Sequence, residues 1–402
     1  MNWRSEYTIL LVAAAANLAQ VATRMVIGPL VPRLLTDFTI SRTVIGGLLT
    51  GMWALFALMH YPSGVIAERV GSRTVLVVAL AATCLASGLL AVAPTFPLFG
   101  MAMLLLGAGA GLYFVVATGF VADRFSGNTG QALGVHSSGG AVAGFFVPVV
   151  AVMIADRFTW RHSIAASSLF VLIVLVAFLY LTRPEPAVKP DVDLAAALHP
   201  RRALAILRAP GLALPLGIVV IAAFAWQAVI SFLPTFLVQH WLLSEGLAAT
   251  LFSTVFVLNA VAMPAVGRLG DRVGNQWAIT LCLVLLCCGF TILVTVDRLP
   301  ALLAGIGCLG VGMSYGGAVQ SLFMAQFDRV DRVSGFGTVR TVYMLLGSLG
   351  GVVTGTLADN FDWGVSYGVV AGLLAVGVVV AGLWTLKTSV EEARKPGSRG
   401  AA

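Results

Sequence analysis

The stretch Gly64-Val-Ile-Ala-Glu-Arg-Val-Gly71 is followed, 203 residues later, by a second stretch with the same pattern, Gly267-Arg-Leu-Gly-Asp-Arg-Val-Gly274. In both, glycines enclose an acidic residue and the triplet Arg-Val-Gly, and long apolar runs lie on either side. A match at a fixed offset, with no gap, indicates that one structural unit occurs twice in the chain. The two stretches therefore predict a fold built from two similar halves.

Other residues match at the same offset. The segment Ala155-Asp156-Arg-Phe158-Thr-Trp160 corresponds to Ala358-Asp359-Asn-Phe361-Asp-Trp363. Glycines match as well: Gly107 and Gly109 with Gly310 and Gly312, and Gly134 and Gly144 with Gly337 and Gly347. Single glycine matches mean little in a chain with 44 glycines, but clustered matches at equivalent connections are hard to obtain by chance.

The composition excludes a water-soluble protein. Of the 402 residues, 59% are hydrophobic and 10% are charged, whereas a soluble domain has about 25% charged residues. The formal net charge of +7 is spread over short loops, so it does not form the basic patch of a nucleic-acid-binding protein. The five cysteines all lie within apolar runs, which argues against disulfides and against a zinc site.

Twelve apolar runs are long enough to cross a bilayer, which takes about 20 residues. They are 7–31, 43–66, 74–93, 97–122, 131–155, 162–182, 211–237, 246–266, 277–296, 299–326, 335–357 and 363–386. The first run is too long for a signal peptide, and Arg24 interrupts it. With both termini inside, the inner segments hold seventeen Lys and Arg residues and the outer segments five. The positive-inside rule therefore predicts a multi-pass protein of the cell membrane with both termini in the cytoplasm.

The repeat predicts two domains. They are an N-terminal six-helix bundle over 1–182 and a C-terminal six-helix bundle over 211–387, joined by a cytoplasmic linker over 183–210 and followed by a cytoplasmic tail over 388–402. The linker contains five prolines among mixed charges. Within it, Leu194 to Leu207 has the pattern of a basic helix on the membrane surface, although a plain linker fits the sequence equally well.

Over nearly its whole length the chain resembles the major facilitator superfamily, whose loop signature between helices two and three is Gly-x-x-x-Asp-Arg-x-Gly-Arg-Arg/Lys. The first copy here has Glu68 in place of the aspartate and Ser72 in place of the first basic residue, and the second copy keeps Asp271. The resemblance implies an all-α membrane fold of twelve helices, in which two six-helix bundles are related by a pseudo-two-fold axis. It also implies transport.

The resemblance further implies that the two loops control conformation, with Glu68 holding the start of the eleventh helix near Gly335 when the inside is closed. A carboxylate facing a helix N-terminus stabilises that contact by roughly 0.3–2 kcal/mol, and a solvated turn is the alternative. The predicted gating residues are Gly64, Glu68, Arg69, Gly71, Arg73, Gly267, Asp271, Arg272 and Gly274.

Three basic side chains stand out within the spans, namely Arg24, Arg340 and His136. An ionisable group in a membrane is costly, and it usually faces a cavity where it has a function. Arg24 continues a polar stripe with Asn17 and Gln20 on one face of the first helix. Several organic-anion carriers that the chain resembles place an arginine there, and a guanidinium suits a carboxylate. The alternatives are that Arg24 pairs with backbone or extends towards the membrane surface.

Further polar residues are candidates for the same pathway. Arg340 lies five residues into the eleventh helix and could instead reach the membrane surface, and His136 could be a packing residue instead of a titrating one. The complete set of predicted substrate-binding residues is Arg24, Gln20, Asn17, Tyr113, His136, Trp226, Gln227, Asn259, Gln320, Arg340 and Tyr343.

These residues predict a secondary active transporter for a small organic anion such as a carboxylate. The alternatives are a multidrug or metabolite exporter for neutral or weakly acidic compounds, and a membrane receptor that does not transport. No arrangement typical of an enzyme is found, and no cofactor or metal is expected. The expected partners are a small-molecule substrate, the lipid bilayer and a coupling proton or sodium ion, and the expected state is a monomer.

Overall fold

A computed structural model of the chain describes residues 3–125, 128–183, 187, 190–191, 200–327 and 332–394. Within these ranges the chain forms helices and no strands. Twelve stretches are long and apolar enough to cross a membrane. The predicted all-α membrane fold with twelve spans is confirmed.

The spans are numbered 1 to 12 in chain order. Span 1 is formed by two helices, Trp3–Met25 and Ile27–Asp37, and spans 2 to 6 are Arg42–Val70, Ser72–Val92, Phe96–Arg124, Thr129–Arg157 and Trp160–Leu181. Spans 7 to 9 are Ala213–Gln239, Glu245–Val273 and Asn275–Thr295. Span 10 consists of Leu299–Gly312, the 3₁₀ turn Met313–Tyr315 and Gly316–Met324, span 11 of Arg332–Gly347 and Leu349–Asn360, and span 12 is Trp363–Arg394.

Span 1 is longer than predicted. Its apolar run was expected to end at residue 31, but helix continues to Asp37. Pro29 occupies the first turn of the second helix, where its missing N–H is not needed. The charge of Arg33 marks the edge of the apolar region, and the helix extends beyond that edge.

A short helix, Pro200–Leu207, precedes span 7. It covers the second part of the surface helix predicted for 194–207, and residues 194–199 lie outside the described ranges. Span 12 is helical as far as Arg394, into the segment predicted as a tail. The division of the chain into bundles, linker and tail at the predicted boundaries stays a prediction.

Spans 1–6 form one bundle and spans 7–12 the other, and equivalent pairs of helices pack in both. Span 2 packs on span 4 and span 3 on span 6 in the first half, as span 8 packs on span 10 and span 9 on span 12 in the second. Contacts between the bundles follow the same symmetry, since span 2 packs on span 11 and span 8 on span 5. We call the face where span 1 begins and span 12 ends the terminal face, and the opposite face the distal face.

The two signature loops have the same backbone conformation. Gly71 has φ of 89° and Gly274 has φ of 103°, in a region that is essentially restricted to glycine. Each glycine ends one span and directly precedes the next. The repeat that was read from the sequence therefore also holds at the level of backbone angles.

Candidate functional site

The two bundles are held together at the distal face by Arg42 at the start of span 2. Its guanidinium donates to Gln239 Oε1 at 2.8 Å from Nη2 and lies 3.4 Å from Asp359 Oδ1. The neighbouring Thr43 donates to Asp359 Oδ2 from its backbone nitrogen at 2.6 Å and from its hydroxyl at 2.7 Å. Asp359 at the end of span 11 is thus bound by two residues of the other bundle.

Arg33 makes a second distal contact between the bundles. Its Nε donates to Glu245 Oε2 at 2.7 Å, and its Nη2 forms an ion pair with Asp156. At the 203-residue offset, Asp156 is equivalent to Asp359 and Glu245 is equivalent to Arg42. This contact therefore brings together the carboxylates of Asp156 and Glu245, with Arg33 between them. The symmetry-related contact instead pairs the cation Arg42 with the anion Asp359.

On the terminal side of the Arg33 and Arg42 contacts, small residues bring spans 2 and 11 close together. A Cβ atom placed on Gly46 would lie 2.6 Å from the carbonyl oxygen of Gly351. One turn further on, Thr50 donates to the carbonyl of Ser348 at 2.8 Å and accepts from the backbone nitrogen of Val352 at 3.0 Å. Close approach through small residues is typical of helix interfaces in membranes. The distal half of the protein is closed.

A cavity of about 290 Å³ lies between the bundles, on the terminal side of these contacts. Trp53 of span 2 forms one wall, and its ring meets Trp226 of span 7 edge to face at a centroid distance of 5.5 Å. The lining residues are Trp53, Ala223, Trp226, Gln227, Asn259, Met263, Met313, Tyr315, Gly316, Arg340, Tyr343 and Met344. The cavity is thus lined by aromatic and methionine side chains with few polar groups, and its charged lining residue is Arg340.

The guanidinium of Arg340 faces an aromatic ring instead of a carboxylate. Its Cζ atom lies 4.3 Å from the ring centroid of Phe114 in span 4, so that the contact joins the two bundles. Its Nε is buried and has no hydrogen-bond partner among the described residues. Arg340 therefore has one unused hydrogen-bond donor at the cavity wall, within the part of the chain that the structure describes.

Arg24 lies behind the cavity wall in a similar environment. Its side chain is buried, its Nε donates to the carbonyl of Gln20 at 3.2 Å, and its Cζ lies 4.3 Å from the Phe56 ring and 5.2 Å from the Trp53 ring. Within the described ranges neither Arg24 nor Arg340 forms a salt bridge. Both cations are instead stabilised by aromatic faces.

The structure separates the predicted substrate-binding residues other than Arg24 and Gln320 into two groups. Trp226, Gln227, Asn259, Arg340 and Tyr343 line the cavity. Asn17, Gln20, Tyr113 and His136 make contacts inside the N-terminal bundle, and Gln320 is exposed beside Met324. The roles of these residues in substrate binding stay predictions.

The contacts inside the N-terminal bundle satisfy most of the polar groups of the span 1 stripe. Tyr113 donates to the carbonyl of Ala13 at 3.0 Å, and Nδ1 of His136 lies 3.1 Å from the same oxygen. Asn17 donates to the carbonyl of His136 at 2.9 Å, and Gln20 accepts from Thr83. Spans 1, 3, 4 and 5 are therefore joined by a buried polar cluster.

His60 of span 2 was missed in the sequence analysis. It lies inside the predicted span 43–66, is 2% exposed, and contacts the rings of Phe56 and Phe114 at centroid distances of 4.5 and 5.7 Å. The rule that identified Arg24, an ionisable residue within an apolar run, applies equally to His60. Trp53 is seven residues away, on the same helix face as His60.

The predicted gating residues lie at the terminal face, in and beside the two signature loops. Arg73 donates to the carbonyl and hydroxyl of Thr182 at 3.1 and 3.0 Å and to the carbonyl of Leu179 at 3.1 Å, which ties span 3 to span 6. In the second copy, Asn275 donates to Ser321 at 3.2 Å. Glu68 is half-buried, and Arg69, Asp271 and Arg272 are exposed. The latch between Glu68 and the start of span 11 stays a prediction.

Several known transporters are similar to the chain in sequence. Multidrug resistance protein MdtG of Salmonella arizonae is 26% identical over 250 residues, which is 60% of this chain and 60% of that protein. The hexuronate transporter of Bacillus subtilis is 24% identical over 261 residues, which is 61% of this chain and 60% of that protein. The chain thus spans about 60% of the length of the curated relatives that it matches.

The same fold occurs in solved transporter structures. A bacterial homolog of the human lysosomal transporter Spinster, in an inward-facing and unoccupied conformation, has a TM-score of 0.81 at 16% identity and covers 99% of this chain and 100% of that one. The nucleoside transporter NupG has a TM-score of 0.77 at 13% identity, with coverage of 94% and 99%. The family model of the Major Facilitator Superfamily matches residues 13–241 and 216–402. The chain belongs to the Major Facilitator Superfamily.

Proposed function

We propose that this transporter moves a small organic anion, such as a carboxylate, by alternating access through the cavity between the bundles. The observation that carries the proposal is the pair of arginines that contact aromatic rings: Arg340, half-buried on the cavity wall, and Arg24, buried behind Trp53. A carboxylate entering the cavity would exchange a weak cation–π contact for charge-assisted hydrogen bonds, which are roughly twice as strong as neutral ones.

The relatives support transport of organic compounds and differ in substrate. One is named as a hexuronate transporter, and hexuronates are organic anions. Two are named as multidrug resistance proteins. Export of drug-like compounds is therefore a second candidate function, and Met263, Met313 and Met344 in the cavity wall favour it, because methionine surfaces adapt to ligands of different shapes.

Alternating access requires that the distal contacts break during each cycle. Arg33, Arg42 and the Gly46–Gly351 approach hold the distal half closed in this state. We propose that the distal face is outside and the terminal face is cytoplasmic, as the distribution of Lys and Arg predicts. We propose that the protein lies in the cell membrane as a monomer and that its transport of substrate is coupled to movement of an ion.

A thermal-shift screen tests the substrate class. Glucuronate and glucarate are expected to stabilise the purified protein, while glucose, which has the ring of glucuronate and no charge, is expected to leave its melting temperature unchanged. A ligand at 100 times its dissociation constant contributes about 2.7 kcal/mol. If the lipophilic cation tetraphenylphosphonium stabilises the protein and the anions do not, the preference for anions is wrong.

The Glu68→Gln variant tests the proposed latch at the terminal face. We expect slower transport and a larger population of the state that is open at the terminal face, since an amide lacks the charge that a helix N-terminus attracts. Spectroscopic distances between labels on spans 2 and 11 at that face would report the change. If the variant has the transport rate and the label distances of the wild type, the latch proposal is wrong and Glu68 belongs to a solvated turn.

A further inference from the structure

Five side chains from four spans form a row in which basic side chains and phenyl rings alternate. In order they are Arg24, Phe56, His60, Phe114 and Arg340. Phe56 contacts Arg24 at 4.3 Å and the His60 ring at 4.5 Å, and Phe114 contacts the His60 ring at 5.7 Å and Arg340 at 4.3 Å. His60 is thus the middle of the row, one aromatic ring away from each guanidinium.

The imidazole of His60 is buried and lacks hydrogen bonds. Both ring nitrogens are without a hydrogen-bond partner among the described residues, and the carbonyl of Ala57 lies nearby without the geometry of a hydrogen bond. A buried polar group that makes no hydrogen bond costs about 1–3 kcal/mol. A buried polar group without a partner in a native structure calls for an explanation, and a bound ion that supplies the partner is one.

The charges that act on His60 come from two other spans. They are the guanidiniums of Arg24 in span 1 and Arg340 in span 11. Span 4 contributes Phe114 to the contact, and its Tyr113 donates to Ala13. Tyr343 of span 11 lines the cavity, and a phenol is neutral near pH 7. Within the described ranges, the charged groups that act on His60 are thus both positive, and an anion bound between them would add negative charge beside the imidazole.

We propose that His60 is the proton-binding group of this transporter and takes up one proton from solvent when an anion binds between Arg24 and Arg340. The inference rests on the anion-transport function proposed above. A bound carboxylate cancels positive charge beside the imidazole and offers an acceptor oxygen to its N–H. Proton and anion therefore bind more tightly together than separately, and by linkage each increases the affinity for the other.

The coupling depends on the charge of the anion. One negative charge cancels one of the two guanidinium charges, and a second negative charge cancels the other. A dianion therefore makes proton uptake by His60 more favourable than a monoanion of similar size does. Glucuronate and glucarate form a matched pair for this comparison, because both have six carbons and their carboxyl groups are ionised above about pH 5.5.

The test is the pH dependence of binding by the purified full-length protein. With one linked proton, the dissociation constant of the wild type for glucarate is expected to fall by up to about tenfold per pH unit as the pH is lowered from 7.5 to 5.5. Glucuronate is expected to show a smaller fall. In the His60→Gln variant, binding should persist and become independent of pH. The control is the His162→Gln variant, which changes an exposed histidine of the distal face and should keep the pH dependence.

Calorimetry in two buffers of different ionisation enthalpy gives a second readout that needs no variant. The wild type is expected to take up close to one proton per glucarate at pH 7. Anion binding without proton uptake would overturn the His60 proposal and leave anion transport intact. Loss of the pH dependence in His136→Gln with its retention in His60→Gln would assign the proton to the other histidine. Binding of neither anion would overturn both proposals.

Discussion

The Gly46→Val variant is expected to have no transport activity and to remain open at the distal face. A Cβ atom at this position would lie 2.6 Å from the carbonyl oxygen of Gly351 and 3.2 Å from the Cα of Val352. Both are backbone atoms, so no side-chain rotation relieves the overlap, and the closed distal half is destabilised. A change of about 5.5 kcal/mol converts a 99:1 equilibrium into its reverse.

Transport in proteoliposomes and label-to-label distances between the distal ends of spans 2 and 11 measure this effect. The matched control is Gly47→Val on the same helix, because a Cβ there would lie 3.9 Å from the Val352 side chain, an ordinary van der Waals distance. The control should transport and close normally. A Gly46→Val protein with wild-type distances would show that closure tolerates a wider separation of the two helices than the structure has.

The second large effect is expected at Arg340 in the cavity wall and at Arg24 behind it. Arg340→Ala and Arg24→Ala should each weaken glucuronate binding by roughly 10- to 100-fold, since a hydrogen bond to a charged group contributes about 1.5–3 kcal/mol and 1.4 kcal/mol corresponds to a factor of ten. An Arg→Lys substitution at either position keeps the positive charge and removes the planar guanidinium with its parallel N–H donors. Dissociation constants from calorimetry would separate charge from geometry.

The control for these variants is Arg161→Ala. Arg161 also contacts aromatic residues, with its Cζ 4.2 Å from the Trp160 ring, but it lies at the distal face and donates to Asp37 at 2.8 Å. Its removal should leave the affinity for glucuronate unchanged. If Arg340→Ala and Arg24→Ala both bind glucuronate as the wild type does, the anion site is not where the two arginines place it.

The spans and their repeat were predictable because the bilayer sets the length of each apolar run and because the repeat lies in loops that need glycine. The stripe of Asn17, Gln20 and Arg24 shows the limit of such patterns. Helical spacing correctly put these residues on one face. The structure shows that Asn17 and Gln20 find hydrogen-bond partners in neighbouring helices, and periodicity contains no information about those neighbours.

The residues that line the cavity were less predictable than the spans, because the sequence pattern contains no information about which helices are neighbours. The lining residues come from spans 2, 7, 8, 10 and 11, and which of their faces meet is decided by packing between distant parts of the chain. The 3₁₀ turn at Met313–Tyr315 interrupts span 10 at the cavity wall. No proline or charge in the sequence marks that interruption.

The two symmetry-related contacts between the bundles at the distal face have different charges, and this difference affects which bundles can pair. If two C-terminal bundles met in place of a proper pair, Glu245 of one would face Asp359 of the other. Phe236 occupies the position equivalent to Arg33, so no cation would separate these carboxylates, and like charges in contact repel. Mispairing of second halves during biogenesis is therefore disfavoured. The departure from symmetry that Arg33 compensates in the native pair therefore makes the C-terminal half pair more favourably with the N-terminal half than with a second copy of itself.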